Sequence, residues 1–86
     1  MKALILIKLA SLESRDAYHQ LRCLKGVTDS YMLYGRYDAM LILNGSHLEE
    51  IHDIILSEIQ PLPGVIEILP CIIVDHHIPS IVGQKP

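Results

Sequence analysis

Near the middle of the chain, Tyr34-Gly35-Arg36-Tyr37-Asp38 sets two phenols, a guanidinium and a carboxylate around one glycine. The chemistry on offer is hydrogen bonding and charge pairing, which makes this stretch the first place to look for a small-molecule site. Each residue also has a plainer reading. Asp38 either contacts a ligand or accepts hydrogen bonds from the hairpin backbone, as turn aspartates do. Tyr34 and Tyr37 either face a ligand or pack a strand end. Arg36 is either a solvated charge at a loop tip or a subunit contact.

The other reactive side chains suggest less. Of five histidines, His47 and His52 are five apart and fall on different helix faces, His19 reads as a helix-surface residue, and His76-His77 have no Cys or carboxylate pair at helical spacing. No metal site is therefore expected. Cys23 and Cys71 form no Cys-x-x-Cys and read as buried free thiols. No Gly-x-Ser-x-Gly or local Ser/His/Asp motif points to an enzyme, and no cofactor is implied.

The elements that must position the central stretch follow from apolar patterning. Lys2 to Leu9 reads as a strand whose apolar residues do not alternate, so both faces should be covered. Ala10 to Ser14 is a connection with serine caps. A first helix then runs to about Leu24, with Ala17, Leu21 and Leu24 on one stripe and Tyr18 beside it, and Lys25-Gly26 end it. Val27 to Leu33 is the most polar strand and suits an edge. Gly35 then turns the chain into a further strand, Tyr37 to Leu43, making a hairpin. Ser46-His47-Leu48-Glu49 matches a capping box, and the helix it opens carries Leu48, Ile51, Ile55 and Ile59 before Pro61 and Pro63 stop it. Val65 to Val74 forms the last strand, broken or bulged at Pro70, which cannot donate to a ladder.

The order βαββαβ predicts an α+β fold: a ferredoxin-like sandwich over residues 1–75, with an antiparallel sheet, two helices on one face and a tail at 76–86. Strands one and three should be central. An internal echo supports two halves, since Leu24-Lys25-Gly26-Val27 and Leu62-Pro63-Gly64-Val65 both close a helix with x-Gly-Val. With both helices on one side, the other sheet face stays apolar and predicts a homodimer formed sheet to sheet.

Composition agrees with self-association. Half of the 86 residues are hydrophobic, and the mean hydropathy of +0.32 is high for so small a domain. Every apolar run is interrupted well short of about 18 residues, so no membrane segment is expected. A net charge of −3 and a pI near 5.9 argue against direct nucleic-acid binding. A cytoplasmic protein is expected.

Tyr34-Gly35-Arg36-Tyr37-Asp38, the capped second helix and Pro63-Gly64-Val65 together resemble the effector-binding domain of the Lrp/AsnC regulators, over roughly residues 2–75. In that family the hairpin carries Gly-x-Tyr-Asp and Pro-Gly-Val follows the second helix. The resemblance implies dimers assembled into rings, with an amino acid or related metabolite bound between dimers near the hairpin. Asp38 would accept from the ligand's ammonium, and backbone N–H groups around Gly35 and Arg36 would donate to its carboxylate. It also implies a stand-alone form lacking the helix-turn-helix, acting on transcription through a partner such as a full-length Lrp/AsnC regulator. One departure stands out. Where the family often has two threonines after Pro-Gly-Val, this chain has Ile68 and Pro70, neither with a side-chain hydrogen-bonding group. The alternatives are a cofactor-free enzyme of the dimeric α/β-barrel type, which a buried histidine would mark, or a purely structural oligomerisation module.

Overall fold

Alternation of side chains across a strand decides where the core of this fold lies. The computed structural model describes residues 1–74; the expected tail, with His76 and His77, lies outside them. Four strands, β1 (Lys2–Leu9), β2 (Val27–Met32), β3 (Ala39–Asn44) and β4 (Val65–Ile73), form one antiparallel sheet in the order β2-β3-β1-β4. Helices α1 (Ser14–Arg22) and α2 (Leu48–Ile54) complete the βαββαβ order, α2 running on as a wider π-helical turn over Ile55–Ile59. The polar strand and the proline-bearing strand are at the edges, and the apolar strands are central, as the pattern predicts.

The odd-numbered residues Ala3, Ile5, Ile7 and Leu9 of β1 and Ala39, Leu41 and Leu43 of β3 are buried with Ala17 and Leu21 of α1 and Ile51 and Ile59 of the second helix. Both helices therefore cover the same face. The two half-motifs close alike. Gly26 and Gly64 both have φ of 95°, and the following valines donate to Leu24 O (3.1 Å) and Leu62 O (3.2 Å). Only glycine adopts that conformation cheaply, and a Cβ on Gly64 would also stand 2.8 Å from that of Glu13.

Four local expectations are corrected. No serine side chain caps α1, whose N-cap is Glu13; the Ser14 hydroxyl donates to Ser11 O instead. The cap of α2 is shifted by one residue, because His47 Nδ1 accepts from Glu50 N and Glu50 Oε1 accepts from Ser46 N at 2.6 Å. Leu48 is exposed rather than buried, and Ile54 joins the core margin. The β4 bulge lies where Lys8 pairs with Glu67 and Leu9 with Val65, not at Pro70, which stays in register opposite Ile5. Pro70 needs no bulge because a proline on an edge strand can turn its nitrogen away from the ladder.

Candidate functional site

The hairpin between β2 and β3 is a six-residue loop, 33–38, closed by Leu33 N donating to Asp38 O at 2.9 Å. At its base the ladder ends. Asp38 N donates to Ile7 O at 2.9 Å, and the chain then leaves the sheet, so the next N–H of β1 that faces β3 has no strand carbonyl to meet. Asp38 supplies the substitute: its Oδ2 accepts from Leu9 N at 2.8 Å. The carboxylate thus extends the sheet by one rung, a charge-assisted bond to a residue that is itself buried. The backbone that Asp38 serves belongs to β1 rather than to the hairpin.

Tyr37, next to it, crosses β1 to reach β4. Its hydroxyl donates to Glu67 Oε2 at 2.9 Å, and the carboxylate that accepts this proton raises the phenol's pKa above the ordinary 10.0. The Arg36 guanidinium carbon lies 5.8 Å from the centre of the Tyr37 ring, within cation–π range. Lys8 Nζ donates to Arg36 O at 3.4 Å. Lys8 and Glu67 are paired across β1 and β4 on the sheet face away from the helices, so the cluster caps one end of that open face. Tyr34 and Gly35 extend beyond it, fully exposed, and a Cβ on Gly35 would meet no atom within 4 Å.

The structure thus gathers Arg36, Tyr37 and Asp38 at the strand ends and leaves Tyr34 and Gly35 at the tip. Ile68 is opposite Ile7, half-buried against the core on the helix side, while Pro70 is exposed two rungs further along. Lys8 and Glu67 were missed. They are the only charges at that end of two otherwise apolar strands, and aligning β1 with β4 would have placed them opposite each other.

Beyond the cluster, the open face is apolar. Leu4 and Leu6 pair with Ile42 and Met40 on one side and with Cys71 and Leu69 on the other; Tyr31 lies beside Met40. Leu4, Leu6, Met40 and Ile42 are half-buried, and Tyr31, Leu69 and Cys71 are exposed. Cys23 and Cys71, expected to be buried, are both exposed in the single chain. His19, His47 and His52 are exposed too. Among the described residues no group of three or more His, Cys, Asp or Glu is placed to hold a metal, and no helix is long and apolar enough to cross a membrane.

No family model matches the chain, and no curated protein matches it. Solved structures do. The crystal structure of FFRP-DM1 superposes with a TM-score of 0.80 at 23% identity, covering 85% of this chain and 97% of that one. TTHA0845 from Thermus thermophilus gives 0.84 at 21% identity, covering 88% and 95%. AsnC of E. coli gives 0.81 at 19% identity, covering 90% of this chain but 52% of its own. The chain therefore has a ferredoxin-like sandwich that is also found in about half of AsnC.

Proposed function

We propose that this chain is a regulatory domain of the Lrp/AsnC type, which self-associates through its open sheet face and senses an amino acid or related metabolite at a subunit contact beside the 33–38 hairpin. The observation that carries the reading is the half-exposed apolar face of Leu4, Leu6, Met40 and Ile42, on a fold shared with AsnC. Apolar surface of this kind is the ordinary signature of an interface. A second copy laid sheet to sheet would cover it and make a homodimer, and rings of such dimers would bring hairpins against neighbouring subunits.

In this reading Tyr34, Gly35 and Arg36 reach the neighbour. The backbone N–H groups of Gly35 and Arg36 donate to the ligand's carboxylate, and Asp38 uses the oxygen that Leu9 N leaves free to accept from the ammonium. Tyr37 is held by Glu67 as the wall between the site and the open face. Ile68 and Pro70 add apolar shape from β4 and no hydrogen bonds. In this reading transcription is reached through a partner, with co-assembly on a full-length Lrp/AsnC regulator as the route.

Native mass spectrometry of the 86-residue protein, with and without a pool of amino acids, tests this. A dimer or multiple of dimers that gains a small mass or changes size with the pool is expected. A monomer would overturn the assembly and the site together; an unresponsive ring would leave assembly without sensing.

A further inference from the structure

At the end of the sheet opposite the hairpin, a cleft of about 350 Å³ opens between the second helix and the turn leading into β2. Lys25, Gly26, Asn44, Glu50, Ile54 and Glu58 line it. That volume is at the small end of the range for small-molecule sites.

The helix wall is unusual in how it is built. Glu50, Ile54 and Glu58 are four apart, and in a regular α-helix a residue eight positions on would have rotated by about 80° from the first. The π-helical turn over Ile55–Ile59 is wider, so it rotates each residue less. It keeps Ile51 and Ile59 both on the core and, by the same geometry, keeps Glu58 in line with Glu50 and Ile54. The result is a carboxylate, an aliphatic step and a second carboxylate, facing an ammonium and an amide. Among the described residues neither Lys25 nor Glu58 makes an ion pair within 4.0 Å. Glu50 is partly committed, since its Oε1 accepts from Ser46 N.

We propose that this cleft binds a basic amino acid, with its carboxylate on Lys25, its two cationic groups on Glu58 and Glu50, and its methylene stem along Ile54. The charge count selects this class. One ammonium and two carboxylates give the cleft a net charge of −1, matched by a ligand with two positive groups and one negative. A neutral amino acid leaves one glutamate without a partner, and a diamine leaves Lys25 without one. The site is separate from the hairpin and does not depend on the function proposed above.

The test is an amide-resonance titration of the full chain with lysine, with norleucine, which lacks the distal ammonium, and with cadaverine, which lacks the carboxylate. Lysine is expected to shift Gly26, Asn44 and Glu58 saturably. Norleucine and cadaverine should each bind about tenfold more weakly or worse, the loss of one charge-assisted contact. Glu58→Gln, which keeps the shape of the wall, should abolish the preference for lysine over norleucine, and Lys25→Met the preference for lysine over cadaverine. Equal midpoints for the three ligands, a Glu58→Gln protein that titrates like the parent, or no saturable shift would each overturn the proposal. Shifts confined to residues 34–38 would also overturn it, while supporting the hairpin site instead.

Discussion

The two faces of the sheet are made of nearly the same residues and end in opposite states. On the helix side, Ile5, Ile7, Leu41 and Leu43 are buried to the last few per cent. On the other, Leu4, Leu6, Met40 and Ile42, one position away in the same strands, remain half-buried. Hydrophobicity alone does not separate them. The helices do, because right-handed crossovers put both on one side and nothing else in the described chain reaches across. Charge is confined to the margins of the open face: Lys8 and Glu67 at one end, Lys2 at the other, and Asp29 on the edge strand β2 beside Ile42. A face with an apolar middle and charged margins is suited to a partner, whereas the covered face is suited only to its own helices.

The same substitution on each face should separate these roles. Leu41→Asp places a carboxylate where no water reaches, at a cost of about 5 kcal/mol or more. Circular dichroism is expected to show an unfolded chain at every protein concentration. Leu6→Asp should leave the circular dichroism of the fold intact while removing assembly, an interface loss of about 3–5 kcal/mol visible as a fall in mass by sedimentation. If Leu6→Asp unfolds the chain as completely as Leu41→Asp, the two faces are equivalent and the proposed interface is wrong.

A smaller effect is expected where the hairpin joins the sheet. Asp38→Ala would orphan the N–H of buried Leu9, with a loss of about 1–3 kcal/mol in urea unfolding. Asp38→Asn keeps an acceptor there and should recover most of it. If Asp38→Ala loses ligand binding while its stability is unchanged, the residue serves the ligand alone and the rung it adds to the sheet is dispensable.

Much of this was legible because it depends on local rules. The paired x-Gly-Val closures at Gly26 and Gly64 needed positive φ, and they have it; the polar Thr28, Asp29 and Ser30 required an edge. The misreadings came from competition between neighbouring residues. Ser46 and His47 could each begin a helix, and Glu50, not Glu49, decided the register by reaching back to Ser46 N. The expected stripe holds at Ile51, Ile55 and Ile59 and fails only at Leu48, the first residue of the helix, which is exposed. In the candidate site, the motif residues were visible but their partners were not. Tyr37 meets Glu67 thirty positions away, a contact that only the pairing of β1 with β4 creates.

The smallest test of the comparison is pH, since one shifted group serves each side. Glu50 belongs to the helix layer, and its pKa lies below the ordinary glutamate value, chiefly because the Ser46 N–H bonds the ionised form. A depressed carboxylate stabilises the fold above its unfolded pKa and loses that contribution as pH falls through the folded one. Tyr37 belongs to the end of the open face, and its pKa is raised, chiefly by its hydrogen bond to Glu67. A raised group stabilises below its unfolded pKa, and the contribution is lost as pH rises through the folded one. Acid should therefore loosen the start of the second helix before the hairpin, and alkali should loosen the hairpin before the helix. Amide exchange at Ser46 and Glu50, compared with that at Tyr37 and Asp38 across the two pH ranges, would show it. Glu50→Gln should erase the acid step and leave the alkaline one, and Tyr37→Phe the reverse. If either variant erased both steps, the two ends would be coupled through the sheet, and its faces could no longer be treated as independent surfaces.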